Sequence, residues 1–245
     1  MKQYEILLLD ADNTLFDFDR SEREALSEMF AQYGYVFTPE MEAVYANINK
    51  PLWDAFDRGE ISREFLGPER YRRFQLEVDG CVTHDPQEMH DQYQLALSTR
   101  PYLLPGAWEV CEELSRHYPL YIVTNGMEVA QRRITNGPAS RFFSGVFISQ
   151  TMGSQKPSRA YFDKVFDALG LTEADRQRVL LIGDNPVSDI KGGQDYGLDT
   201  VWFCRGDEPL PEDVNPTYII HRLTELLFLL LPEEEAIPFG DDPSI

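Results

Sequence analysis

Basic residues are scarce in this chain: 22 Lys and Arg stand against 42 Asp and Glu in 245 residues, a formal net charge of −20. Neutralising a phosphate polymer requires a clustered basic surface, so this excess of acid excludes nucleic-acid polymers, though not a small phosphorylated molecule, which needs only local compensation. Cysteine is also sparse. Cys81, Cys111 and Cys204 are odd in number and far apart, which gives neither a disulfide framework nor zinc-ligand pairing; they are expected as core thiols in a reducing compartment. The four histidines show no two-His metal spacing. Long apolar runs are missing too. Ile6 to Leu9 ends in Asp10, too short for a signal-peptide core, and no charge-free stretch approaches the ~20 apolar residues that span a bilayer. The expectation is a cytoplasmic monomer or homodimer with no membrane partner.

What the chain does contain is ordinary globular material. Apolar residues make up 42% and aromatic residues 12%, far from the composition of disordered chains. Ile6-Leu7-Leu8-Leu9 is a continuous apolar run bounded by acids, the pattern of a strand buried on both faces. Leu120-Tyr121-Ile122-Val123, Val146-Phe147-Ile148, Val179-Leu180-Leu181-Ile182 and Thr200-Val201-Trp202-Phe203 repeat it, with helical patterns between several of them. This alternation predicts an α/β fold built on a Rossmann-like parallel sheet.

About 110 residues separate the first two strands, far more than one crossover helix requires. Ser21 and Glu24 have capping-box spacing ahead of Leu26, Met29, Phe30 and Tyr33, which recur at helical intervals and close at Gly34. Thr38-Pro39-Glu40 opens a second helix and Asp85-Pro86-Gln87-Glu88 another. The predicted organisation is a core of residues 1–16 and 100–231, an inserted α-helical unit over 17–99, and an acidic tail over 232–245. Leu223 to Leu231 is expected as a final docking helix.

In open α/β sheets, ligands bind beyond the carboxyl ends of the strands, and four signals fall there. Asp10-Ala11-Asp12 follows the first strand, Thr124-Asn125-Gly126 the second, Lys156 the third, and Gly183-Asp184 with Asp189 the fourth. Singly, the first three have a bland reading: an Asx-type turn, turn chemistry, a surface lysine; the fourth, with two more carboxylates at the same edge, is less bland. Four acids at one sheet edge would repel each other without a cation, and all-oxygen ligation with few protein ligands suits Mg²⁺. An EF-hand calcium loop is excluded, since its Gly and terminal Glu are missing.

The ordered set Asp10/Asp12, Thr124, Lys156 and Asp184/Asp189 resembles the four motifs of the haloacid-dehalogenase superfamily across the whole core. The resemblance implies a helical cap after the first motif and assigns roles. Asp10 becomes the nucleophile of an aspartyl-phosphate intermediate, and Asp12 the acid and then base. Thr124 with the N–H groups near Asn125 and Gly126 would hold phosphoryl oxygens, and Lys156 would neutralise charge. Asp10, Asp184 and the main-chain carbonyl of Asp12 would ligate Mg²⁺, with Asp189 as ligand or support. Asp12 is present, which implies a phosphatase rather than a dehalogenase.

Residues Asp10 to Phe18, Val44 to Gly59 and Thr124-Asn125-Gly126 are similar to the bacterial pyrimidine 5′-nucleotidase branch. That implies a base-and-sugar pocket in the cap, where Trp53 or Phe16 stacks on a base and Asn49 and Lys50 supply hydrogen bonds. The competing reading of Asn47 to Trp53 is a helix break with a core Trp. Arg70-Tyr71-Arg72-Arg73 is expected as a solvated face rather than a phosphate clamp. Two other functions stay open: a phosphatase of sugar phosphates or related metabolites, and a receiver-like signalling protein carrying a long-lived aspartyl phosphate.

Overall fold

The computed structural model describes residues 4–206 and 209–232. Six strands form one parallel sheet: β1 (Ile6–Leu9), β2 (Leu120–Thr124), β3 (Phe143–Ile148), β4 (Val179–Gly183), β5 (Asp199–Phe203) and β6 (Tyr218–Ile220), in the spatial order β3-β2-β1-β4-β5-β6. The five expected strands are all present. The sixth, only 3 residues long, was not anticipated: Tyr218-Ile219-Ile220 is too short to carry a periodic signal against the turn-rich segment before it.

The order runs outward from β1 in both directions, so the crevice at the carboxyl end of β1 is the topological switch point. Leu9 is in register with Ile122 of β2 and Ile182 of β4, which brings Asp10, Thr124 and Asp184 to the same edge. Burial on both faces accounts for the apolar runs. Leu7 and Leu9 face one core and Leu8 the other, the two-residue alternation of a strand.

In chain order the α-helices are α1 (Phe18–Gln32), α2 (Pro39–Asp57), α3 (Arg63–Asp79), α4 (Pro86–Leu97), α5 (Ala107–His117), α6 (Arg132–Thr135), α7 (Ser149–Met152), α8 (Arg159–Leu169), α9 (Gly192–Tyr196) and α10 (Glu225–Leu230). α5 and α10 cover the Leu7/Leu9 face through Val110, Leu114, Leu226 and Leu227; α8 covers the opposite face through Tyr161, Phe162 and Val165.

The first four helices build a separate apolar cluster, in which Phe30 stacks on Phe37 and meets the edges of Tyr45 and Tyr71. α1 packs on α4, and α3 on both α2 and α4. The segments leading into and out of this insertion run side by side: Asp17 donates its N–H to Tyr102, and Leu104 to Leu15.

Local chemistry matches the sequence at two helix starts and departs from it at others. Thr38 and Asp85 cap α2 and α4, each followed by proline at the first helical position. The cap of α1, however, is Asp17, which accepts from the Arg20 N–H; Ser21 lies inside the first turn, buried, with its hydroxyl donating to the Asp17 carbonyl at 2.7 Å. α2 continues unbroken through Pro51, so no helix break occurs at Asn47 to Trp53. The final helix is shorter than expected, Glu225–Leu230. Cys111 and Cys204 are buried thiols, whereas Cys81 is exposed. Of the tail over 232–245, all but Pro232 lies outside the described residues. Among the described residues no helix is long and apolar enough to cross a membrane.

Candidate active site

At the switch point, Lys156 reaches back to the end of β1. Its ammonium donates to Asp10 Oδ1 at 2.6 Å, Asp189 Oδ1 at 2.6 Å and the Val123 carbonyl at 2.8 Å. The side chain is 1% exposed, so the bland reading of a surface lysine is overturned. Burial opposes the charge on Lys156, but Asp10 and Asp189 outweigh it and hold the ammonium above the usual lysine range.

Asn125 sets the height of this lysine. Its carboxamide donates to the Lys156 carbonyl and accepts from the Lys156 N–H, both at 2.9 Å, tying the loop after β2 to the segment before α8. Thr124 is 1% exposed, and its hydroxyl accepts from the Gly126 N–H at 3.0 Å. Gly126 leaves room for Gln131: a Cβ there would stand 1.7 Å from Gln131 Nε2, so that side chain would have to move.

Asp184 and Asp189 complete the acid side. One oxygen each of Asp10, Asp184 and Asp189 lies within 4.8 Å of the others. Asp189 has both oxygens engaged, by Lys156 and by the Asn185 N–H at 3.1 Å, while the Asp184 carboxylate accepts from Thr14 at 3.0 Å. Gly183 makes this approach possible, since a Cβ would come within 2.4 Å of the Asp189 carboxylate. Burial, then the neighbouring Asp10 and Asp189, push the Asp184 carboxyl well above its ordinary range. Burial lifts Asp189 to about 7, against the opposing charge of Lys156. Three clustered carboxylates, two buried and one partly buried, served by one ammonium are short of positive charge, and the donor set is entirely hard oxygen, so the residues fit a small divalent cation.

Asp12 points away from this cluster. It pairs with the Arg133 guanidinium through Oδ1 and accepts from Gln131 Nε2 at 3.2 Å through Oδ2. Burial raises its pKa, with Arg133 pulling the other way. Asn13 takes a left-handed φ of 63°, a conformation Asn tolerates, and the turn it makes swings the chain from Asp12 back to Thr14. Thr14 then bridges Asp10 and Asp184 through its hydroxyl.

A cavity of about 320 Å³ opens above these residues. Its floor holds Asp10, Asp12, Thr124, Asn125, Gly126, Lys156, Asp184 and Asp189; the insertion contributes Phe18, Asn49, Trp53, Arg70, Tyr93, Gln94 and Leu97. Asn49 and Trp53 therefore stand where they were expected. Two other residues do not. Phe16 is 1% exposed in the sheet core, paired with Leu103, and Lys50 is exposed on α2 and absent from the cavity lining. The physical reason is phase: on a helix, Lys50 sits about 100° from Asn49 and projects to solvent. Phe16 follows a turn that sends its ring inward.

Arg70 also reverses expectation. Arg72 and Arg73 pair with Glu69 as a solvated face does, but Arg70 is 1% exposed and donates to Tyr45 Oη at 3.0 Å, Asn49 Oδ1 at 3.3 Å and His90 Nδ1 at 3.1 Å. Burial and the Arg70 charge push His90 down to about 3, so the ring is neutral and can accept. Burial pushes Glu22, beside Asn49 and Tyr93, up to about 7. Sequence reading missed Thr14, Gln131, Arg133, Arg70, Tyr93 and Gln94. The signal available for Arg70 was its place on the apolar side of α3, four residues before Phe74 and one before Tyr71.

The model of the family described as haloacid dehalogenase-like hydrolase matches residues 7–203, the whole stretch from β1 to β5. The chain is 30% identical to the pyrimidine 5′-nucleotidase PynA of Streptococcus pneumoniae, over 91% of this chain and 94% of that one, and 31% identical to the pyrimidine 5′-nucleotidase YjjG of Escherichia coli, over 93% and 98%. The magnesium-bound crystal structure of the HAD-hydrolase YfnB from Bacillus subtilis superposes with a TM-score of 0.87 at 34% identity, covering 94% of this chain and 99% of that one. Switch-point carboxylates, the loop lysine and a match spanning both the sheet and the insertion lead to one assignment: this chain belongs to the haloacid dehalogenase-like hydrolases.

Proposed function

We propose that this hydrolase is a Mg²⁺-dependent phosphomonoesterase acting on nucleoside 5′-monophosphates, pyrimidine nucleotides foremost, through an aspartyl-phosphate on Asp10. The observation that carries the chemistry is the arrangement on the floor: a carboxylate, Asp10, gripped by Lys156 and Thr14 beside two further acids, Asp184 and Asp189, with another carboxyl, Asp12, lining the same cavity.

Asp10, Asp184 and the Asp12 main-chain carbonyl would hold the metal, with Asp189 supporting through Lys156. When bound, Mg²⁺ supplies positive charge that offsets the meeting of an anionic nucleophile with a phosphate dianion. The chain's own residues do the rest. Lys156 keeps Asp10 oriented and shares the negative charge that builds on the phosphoryl oxygens. Thr124 and the N–H groups of the Asn125-Gly126 turn bind a non-transferring oxygen. Asp12 delivers a proton to the departing ester oxygen and then takes one from the water that opens the acyl phosphate. Phosphate-ester hydrolysis demands rate accelerations of up to ~10²¹-fold, which this combination of positioning and charge addresses.

The nucleotide assignment is supported by the names of PynA and YjjG and by the roof of the cavity. Trp53 offers a half-buried ring, and Asn49 and Gln94 offer carboxamides; Gln94 Oε1 is buried without a partner among the described residues, which supports a role as acceptor for a base N–H. The insertion, residues 17–99, serves as the cap over the core of 1–16 and 100–231, closing to exclude water from Asp10. Unchanged cap positions in free and ligand-bound crystals would refute closure.

The test is phosphate release from a panel of pyrimidine and purine monophosphates and sugar phosphates, with and without Mg²⁺. Release is expected to require the metal, to favour pyrimidine nucleotides and to vanish in Asp10→Asn. Full activity in that variant would falsify the covalent route; a preference for sugar phosphates would replace the nucleotide assignment; stoichiometric, long-lived phosphorylation without turnover would support a receiver-like role.

A further inference from the structure

We infer that Arg133 is a positioning residue that aims the Asp12 carboxyl at the leaving oxygen of the substrate. The inference rests on the acid role proposed above for Asp12. Arg133 lies on α6, the short helix after the Thr124 loop, and its side chain is fully enclosed. The guanidinium sits 5.5 Å from the centre of the Phe18 ring and pairs with Asp12 Oδ1, while its Nε and Nη1 are buried with no hydrogen-bond partner among the described residues. Burying a cation with idle donors is costly, so the site retains it against a standing penalty, and Asp12 is the group that compensates it.

Gln131, two residues earlier, secures the other side. Its Nε2 donates to Asp12 Oδ2 at 3.2 Å and to Thr124 Oγ1 at 3.5 Å. Gln131 lines the cavity and Arg133 does not. The carboxyl is therefore held by Oδ1 from the enclosed side, which leaves Oδ2 as the oxygen presented to substrate. In the first step the bond from the Asp10 oxygen to phosphorus forms, the bond from phosphorus to the ester oxygen breaks, and the proton on Asp12 Oδ2 passes to that oxygen, which leaves as an alcohol. Without Arg133 the carboxyl keeps the Gln131 contact alone and can turn about it, and proton delivery loses its alignment.

Leaving-group dependence separates this role from a merely structural one. The kcat/KM value covers steps only through departure of the leaving group, so it reports the acid and not the later hydrolysis. Full-length wild type, Asp12→Asn, Arg133→Met and Arg133→Lys are compared in Mg²⁺ on uridine 5′-monophosphate, whose alkoxide needs a proton, and on p-nitrophenyl phosphate, whose phenolate does not. Asp12→Asn and Arg133→Met are each expected to lose at least about tenfold more on the nucleotide than on the aryl ester, a fraction of the ~10²–10⁴-fold that general acids contribute, with part of the difference restored in Arg133→Lys. Equal losses on both esters in Arg133→Met, while Asp12→Asn discriminates, would overturn the inference alone. Equal losses in Asp12→Asn would overturn the acid role and the inference with it. If Arg133→Met does not fold, Gln131→Leu and the Lys variant carry the same comparison, and equal losses in both overturn it.

Discussion

The floor and the roof of the cavity are built on different physical terms. On the floor, several groups are tied to backbone at the strand ends: Lys156 to the Val123 carbonyl, Asp189 to the Asn185 N–H, Thr124 to the Gly126 N–H. On the roof, side chains hold one another. Arg70, Tyr45, Asn49, Tyr93, His90 and Glu22 form a polar network among aromatic rings, and no strand fixes any of them. Chemistry common to all phosphoesters needs a rigid cradle, whereas recognition of one leaving group can rest on helix-borne side chains that are replaceable without disturbing the sheet.

Breaking the floor has the largest expected effect. Lys156→Met removes the cation from the cluster of Asp10, Asp184 and Asp189, and kcat is expected to fall by about 10²–10³-fold on every phosphoester, nucleotide or not. Steady-state kinetics over the substrate panel checks it; a loss confined to nucleotides would erase the distinction drawn here.

Breaking the roof is expected to do the reverse. Gln94→Leu removes the unpartnered buried acceptor, and the loss in kcat/KM for pyrimidine nucleotides is expected to exceed that for a small aryl phosphate by about 10–100-fold, as for a hydrogen bond read in a closed site. Identical losses on both would show that the roof does not read the base.

The roof network also has a pH signature. Glu22 is raised by burial from an ordinary value near 4.5 to about 7, with Arg70 and the Tyr93 hydroxyl opposing and Asp19 and Asp12 reinforcing the shift. Between those values the folded protein keeps the proton that the unfolded chain releases, so stability falls as pH rises through the window and levels off above it. Glu22→Gln stays neutral and can still accept from Tyr93. At about pH 8 it is expected to be more stable than wild type by of order 2 kcal/mol, a gap that narrows by about pH 5.5. Melting temperatures at the two pH values decide; a gap that widens on acidification contradicts the assignment.

The smallest effect is expected where roof meets floor. Arg63, at the start of α3, donates to the carbonyls of Asn125 at 2.9 Å and Gly126 at 3.3 Å and to Ser149 Oγ at 2.7 Å. Arg63→Ala is expected to lower unfolding free energy by about 1–2 kcal/mol in a urea titration, with a rise of a few-fold in nucleotide KM and little change in kcat. A kcat loss equal to that of Lys156→Met would make Arg63 part of the chemistry.

The floor was more legible than the roof because strand ends leave a one-dimensional trace. An apolar run followed by Asp, Thr or Gly-Asp states both the element and the residue at its tip, and the structure brings Asp10, Thr124, Asp184 and Asp189 together. Lys156 needed the resemblance, since a single lysine in a loop has no periodic context. On α2 and α3 the same types of residue fall in and out of the cavity with helical phase: Asn49 lines it and Lys50 does not, Arg70 is buried while Arg72 and Arg73 are paired in solvent. Gln131 and Arg133 left no trace, because their importance comes from Asp12, more than 100 residues earlier.

The apolar rhythm of the chain was enough to specify the parallel sheet, the helical insertion between its first two strands and the carboxylates at its edge, because burial on both faces and short crossovers dictate a local pattern. The acid excess is a matter of sequence as well, and among the described residues part of it is concentrated at Asp10, Asp184 and Asp189. Which arginine is buried, which partner each oxygen of Asp12 takes, and which side chains form the roof were settled by packing between segments far apart in the chain. Those contacts depend on helix phase and on the close approach that Gly126 and Gly183 allow, neither of which a linear pattern records.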